Sequence, residues 1–504
     1  MKKIKIFSLA LIMAITTSCS DFLTELPNGS IPQDEAIKNL DDCSAAVIGI
    51  YSAFKSSALY SGYMTHLPDI QADMGYLTLS NTGTYADIYR WNIKPTTSQI
   101  MSVYSGLYSV ISRCNFVMNY KDELYATLTT DAEKKVFEKR IGDVYFARAL
   151  AYSELIRYFC EAYTEETADK EDFGVSIVLT YSNTSKGVKR STLRESYAQV
   201  LSDLDNAEKF IPSDRSIADS EYFSPGAVLA LKARVYLYMG EYQKSVDAAT
   251  KLIKSDVYSL ADAIYATSGG RSDYSNMWTY DSSEEIIWKV AMTTTDRGGA
   301  LGKVFLNYNG ATYSPDYVAP NPIQDLYDNK DMRYPNFFTQ ITAADGTEPV
   351  IIRKYLGNPT IDGGASKLFT NMPKVFRLSE VYLVRAEANW NLGNYSAAAA
   401  DLTSIRKKRI SGYGSTGGTG DALLTEIQNE RARELFMEGF RLSDLKRWKK
   451  DIVRKKQIYT ITGEKENQLT VKYGDPLYRF TTWPIPQHEI EASNNVVVGN
   501  ASNF

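Results

Sequence analysis

Apolar residues recur at helical spacing through most of the chain. Ala46, Ile50 and Phe54 fall four apart and build one apolar face in a pattern that begins near Asp34. The same periodicity predicts helices around Ser98–Tyr120 and Asp131–Tyr163. Tyr197, Val200, Leu201, Leu204, Ala207 and Ile211 mark a further amphipathic helix, which Pro212 stops. Two stretches break the pattern. Positions near 61–95 and near 265–320 are rich in Gly, Thr, Asn and Tyr without a helical period, and excursions of that length inside a folded domain are generally functional or disordered. Apolar runs at Glu284–Val290 and Pro349–Tyr355 predict strands. After a glycine cluster from Gly412 to Gly420, a charged helix is expected from about Leu423 to Lys450, followed by a tail of short extended pieces.

The helical part contains an internal echo. Ala233 to Tyr242 aligns with Ala386 to Tyr395, and each copy is followed by a second helical pattern. The expectation is a pair of helix–turn–helix hairpins, near 224–254 and 373–411, with Gly240 and Gly393 closing the first helix and Tyr242 and Tyr395 on the turn. Their G-x-Y-x-x-A step resembles tetratricopeptide repeats; Ala398 completes it in the second copy and Ser245 substitutes in the first. The fold class expected is therefore mainly α, with tetratricopeptide-like helical hairpins forming a scaffold that carries long irregular loops and a few short strands.

The first residues are built differently. Lys2, Lys3 and Lys5 precede an apolar stretch from Ile6 to Ile15, then Thr16, Thr17 and Ser18 lead to Cys19. Ten apolar residues fall well short of the roughly 20 that span a bilayer, so residues 1–18 read as a cleaved signal peptide. A cysteine directly after the small polar run resembles a bacterial lipobox and marks Cys19 as the lipidation site, although Thr16 stands where most lipoboxes carry Leu. Residues 19–33, with Pro27, Asn28, Gly29 and Pro32, form a tether, and 34–504 a single domain.

Composition narrows the chemistry. Lys and Arg number 56 against 60 Asp and Glu, so no nucleic-acid partner is expected. His66 and His488 are the only histidines, which excludes a multi-His metal site; neither a metal nor another cofactor is expected. Cys43, Cys114 and Cys160 are odd in number and lack a CxxC pair, so they read as small buried hydrophobes. Gly412 to Gly417 matches G-x-G-x-x-G but follows a helix instead of a strand, which argues for a connector over a nucleotide site. Glu430, Glu434 and Glu438 share one helical face. They could be imagined as glycosidase carboxylates, but Arg431, Arg433 and Arg441 are close enough to make a structural ion-pair network the stronger reading.

The stretch from Glu430 to Trp448 resembles the C-terminal signature of the SusD/RagB family, surface lipoproteins of the Bacteroidetes. Further pieces agree in order: Cys19-Ser-Asp-Phe-Leu, Asp331-Met-Arg333, Arg377-Leu-Ser-Glu380 running into Ala386-Glu-Ala, and Trp483-Pro-Ile-Pro-Gln-His-Glu-Ile490. The resemblance implies a tetratricopeptide-like helical fold whose long loops make a shallow glycan site without catalysis. It also implies a lipid anchor in the outer membrane facing the cell exterior, and a SusC-like TonB-dependent transporter to which captured oligosaccharides are delivered. A peptide receptor of the same family, a surface glycoside hydrolase and a scaffold built on the hairpins are the competing readings.

A sugar site needs flat aromatic faces for ring C–H groups and polar neighbours for hydroxyls. The first excursion offers Asp73, Tyr76, Asn81, Tyr85, Tyr89, Arg90 and Trp91; the second offers Asn307, Tyr308, Asn309, Tyr313 and Tyr317. Trp91, Tyr85 and Tyr313 are the expected platform, with Asp73, Arg90 and Asn309 as polar contacts. Tyr89-Arg90-Trp91 also reads as a short strand closing its loop, which would make Trp91 a packing residue. Trp278 and Trp288 are expected in the core, and Trp390 and Trp448 lie in scaffold motifs.

Overall fold

The structure is a computed structural model and describes residues 36–182, 187–213, 220–267, 269–308, 310–343, 346–362, 368–456 and 468–500. Cys19, the signal sequence, the tether and Asn309 lie outside the described residues. Helix α1 (Leu40–Ala53) starts where the Asn39 side chain accepts the Asp41 and Asp42 N–H groups. Helix α2 (Tyr63–Gln71) follows, then α3 (Ser98–Asn119), α4 (Asp131–Phe159) and α5 (Leu193–Phe210). Reciprocal capping boxes, Thr130 with Glu133 and Thr192 with Glu195, fix the starts of α4 and α5. Such caps contribute about 1 kcal/mol each by satisfying N–H groups that the helix itself leaves open. Helix α4 packs between α3 and α5 through its long buried face.

The first hairpin of the echo is α6 (Pro225–Tyr238) with α7 (Tyr242–Ile253), and the second is α8 (Leu378–Asn391) with α9 (Tyr395–Arg409). Gly240 and Gly393 turn the chain at φ 74° and 77°. Helix α7 packs on α8, so hairpins far apart in sequence stack directly. The repeat step is accommodated in both copies. Ala398 is fully buried, and at the matching place the buried Ser245 hydroxyl donates to the Ala233 carbonyl at 2.8 Å. A Ser can replace the Ala because its one polar atom is satisfied.

The chain between the hairpins folds together with the first excursion. Strands β1 (Tyr76–Leu77), β2 (Ile286–Lys289), β3 (Tyr317–Val318), β4 (Phe338–Gln340), β5 (Val350–Ile352) and β6 (Lys374–Arg377) form two antiparallel sheets, ordered β1-β3-β5-β4 and β2-β6. Strand β6 leads straight into α8, which couples the loop region to the hairpin stack. Beyond it come α10 (Gly420–Glu434), α11 (Arg441–Arg447) and a hairpin of β7 (Ile452–Arg454) with β8 (Leu469–Val471). Among the described residues no helix is long and apolar enough to cross a membrane.

Three local expectations need correction. The first excursion is not loop throughout, since α2 runs from Tyr63 to Gln71 and carries Pro68 inside it. The helix expected from Leu423 to Lys450 is two helices, broken where Met437 and Gly439 take φ 56° and 81°. A Cβ at Gly439 would lie 2.1 Å from the Met64 carbonyl oxygen, so only glycine lets this turn press against α2. Tyr89-Arg90-Trp91 is no strand: Ala86–Tyr89 is one helical turn and Trp91 sits at φ 60°.

Candidate functional site

The excursions, separated by most of the scaffold in sequence, are clasped side by side. Tyr76 pairs with Val318 and Leu77 with Tyr317 in the β1–β3 ladder. Beyond the ladder the Thr78 N–H donates to the Asp316 carbonyl at 2.9 Å, and the Tyr317 hydroxyl donates to the Thr84 carbonyl at 2.7 Å. The Asp316 carboxylate accepts from the Thr82 N–H and, at 3.1 Å, from the Thr82 hydroxyl. Burial raises the Asp316 carboxyl pKa, against the pull of the Thr82 and Thr84 donors.

Tyr85 heads the short helix at φ 60°. A non-glycine residue in this region carries backbone strain that its surroundings must hold in place. Tyr63 from α2 does so by packing edge-on against it, ring centroids 5.7 Å apart. In the other loop Tyr308 and Tyr313 bridge antiparallel, with rings 4.9 Å apart and tilted by 45°. Tyr85, Tyr308 and Tyr313 are each half-buried, anchored on the same apolar cluster beneath the sheet. A half-buried tyrosine on a clasped loop presents a flat face whose orientation is already fixed, so little ordering entropy opposes stacking.

The other expected contacts go elsewhere. Trp91 is 3% exposed, packs with Leu442, Leu445, Ile452 and Val471, and donates its indole N–H to the Gln71 carbonyl at 2.9 Å. It is a packing residue, and the platform loses it. Tyr76 is 1% exposed with its hydroxyl on the Lys455 carbonyl. Tyr89 and Tyr317 are buried outright. Asp73 forms a two-pronged pair with Arg441, both contacts 2.8 Å, in a separate cleft with Tyr76, Ile323 and Val453. Asn81 is spent on its own turn, donating to the Thr78 carbonyl and accepting from Gly83. Arg90 is exposed at the end of the first loop. Neither Tyr63 nor Asp316 was singled out from the sequence; Tyr63 was hidden in a stretch read as loop, and the partner of Asp316 lies more than 200 positions away.

The carboxylate triplet is internal. Glu434 accepts from Arg333, Arg377 and Arg409 at 2.9–3.1 Å, and Glu430 from Arg333, Arg406 and Arg433. Glu438 pairs with Lys354 and Arg377. Burial pushes the carboxyls of Glu430 and Glu434 up, but the surrounding guanidinium groups outweigh it and hold both well below the usual range. Glu430 and Glu434 hold α10 against β6 and α9; Glu438 borders only a small void of about 20 Å³. His66 is buried against Phe305 and Tyr85, and burial lowers its pKa to about 4.

Two family models match the chain. One, described as the SusD family, covers residues 346–502; the other, described as starch-binding associating with outer membrane, covers residues 33–237. A SusD-like protein of Formosa agariphila is 25% identical, over 90% of this chain and 93% of its own length. A second from the same organism is 23% identical, over 86% and 87%. A solved SusD superfamily protein from Bacteroides thetaiotaomicron superposes with a TM-score of 0.78 at 26% identity, covering 91% of this chain and 99% of its own.

Proposed function

Because the chain belongs to the SusD/RagB family, we propose that it is a cell-surface lipoprotein that captures oligosaccharides and passes them to a SusC-like TonB-dependent transporter. The observation that carries the reading is the clasped pair of loops, which sets Tyr85, Tyr308 and Tyr313 on one rigid support. The starch-binding description of the N-terminal family model supports the same ligand class. In this reading residues 19–33 tether one binding unit, 34–504, to lipid on Cys19, in the outer membrane and facing outward. Arg90 and Asn309 are the polar contacts proposed from their residue types. The protein binds and does not cut, since the carboxylates that could be imagined as catalytic are enclosed by arginines.

A glycan array run beside a peptide library tests this. Retention of oligosaccharides without release of reducing ends is the expected result. Retention of peptides alone would favour the peptide receptor of the same family, and new reducing ends would favour the hydrolase. Mild-detergent purification from the native membrane should bring down a large β-barrel partner, with an interface above about 1,000 Å².

A further inference from the structure

Tyr313 also forms part of the wall of a cleft of about 320 Å³, together with Arg271, Ser275, Trp278, Asn336 and Arg353. No aspartate or glutamate among the described residues lines it. Lys354 lies at its base, but its ammonium is spent on Glu438 and the Phe436 carbonyl. Arg271 and Arg353 are different. The Arg271 guanidinium only rests 5.9 Å from the Tyr280 ring, and neither arginine has an ion pair or side-chain hydrogen bond among the described residues. Elsewhere in this chain arginines are heavily paired, as around Glu430 and Glu434. The wall holds a further donor: Trp278 is 4% exposed and its indole N–H has no acceptor among the described residues.

Like charges gathered on one wall without counter-charges repel, and a concave low-dielectric surface strengthens their field. An anion with several acceptor oxygens relieves this, and the planar fork of arginine matches carboxylate and sulfate geometry. Tyr313 is shared between the cleft and the aromatic platform, so a chain stacked on the tyrosine has its next unit at the arginines.

We propose that the Arg271–Arg353 cleft binds an acidic sugar unit, carrying a carboxylate or a sulfate ester, of the same oligosaccharide that stacks on the platform. The proposal rests on the glycan reading above and names its substrate class. The volume suits a sugar unit in a site of the usual ligand-pocket size.

The test is calorimetric titration of the full chain with matched probes: oligogalacturonate against its methyl ester, and a sulfated carrageenan oligosaccharide against its desulfated form. Acidic probes should bind more tightly than their neutral partners, and the preference should weaken as salt rises. Arg353→Gln and Arg271→Gln should each lower affinity for the acidic probe by roughly tenfold, with little change for the neutral one. Both side chains are at least partly exposed and unpaired, so the melting temperature should hold. The salt titration of the unaltered protein reads the same preference without any substitution. A carboxylate probe loses affinity as pH falls through about 4, whereas a sulfate does not, which separates the two sources of charge.

Equal binding of acidic and neutral probes, unchanged in both variants, overturns the acidic-sugar assignment while leaving glycan capture standing. Binding of no glycan of either kind in the array and the titrations overturns the parent reading and this one with it. Acidic peptides bound through the same arginines in place of sugars would also overturn it.

Discussion

At Trp91 a residue of binding-site type has been taken into the core. Its indole fills the space between α11 and the β7–β8 hairpin, and its N–H is satisfied at Gln71. Trp91→Ala should lower stability by about 3–5 kcal/mol, read in thermal or denaturant unfolding, through the cavity it leaves, while the Gln71 carbonyl keeps its Arg454 donor. An unchanged melting temperature would return Trp91 to the ligand surface. Asp69 is a second residue whose setting can be tested. It is fully buried, and burial pushes its carboxyl up to about 7, against the Arg441 and Gly439 N–H groups it accepts from and the nearby Lys354. With the unfolded value near 3.9, the folded protein holds the proton more tightly between about 4 and 7, so Asp69 costs stability as pH rises through that window. Relative to Asp69→Asn, the unaltered protein should lose stability from acid to neutral pH. A constant difference between the two across that range contradicts the assignment.

Among the elements, legibility followed sequence distance. The helices α3, α4 and α5 and both hairpins announce themselves through local periodicity, Gly240 and Gly393, and a repeated aromatic turn. Cys114 is buried within α3 and Cys160 where the chain leaves α4. Strands β1 and β3 have two residues each, too short for any alternation, and exist because each finds the other across the chain. Asp316 gives no local sign of its role either, because its meaning is Thr82. The tyrosine-rich composition marked two loops that pack together, but only tertiary contacts separate the buried Tyr76, Tyr89 and Tyr317 from the half-buried Tyr85, Tyr308 and Tyr313. Asp316→Ala should free the first loop from the second. Hydrogen exchange at the Thr82 amide should rise by at least tenfold while the helices keep their protection, since the loss is one charge-assisted contact. Unchanged protection at Thr82 would show that the ladder alone holds the loops.

For the whole molecule, the hairpin stack is a frame and the co-folded loops are its proposed working face. The buried ion network joins the two, since Arg377 leads from β6 into α8 while Glu434 ends α10. Such a layout suits a binder held at a surface, which the proposed lipid on Cys19 would provide. Cys19→Ala, expressed in a strain lacking the transporter partner, should leave the membrane fraction for the soluble one. Retention in the membrane fraction would contradict lipid anchoring.

The central claim is that the clasped tyrosines form the sugar platform. Calorimetric titration of Tyr85→Ala, Tyr308→Ala and Tyr313→Ala, against whichever oligosaccharide the array retains, tests it most directly. Affinity losses of roughly tenfold or more are expected in at least two of the three, with melting temperatures close to that of the unaltered protein. Full affinity in all three, or lost affinity only where the melting temperature falls with it, would contradict it.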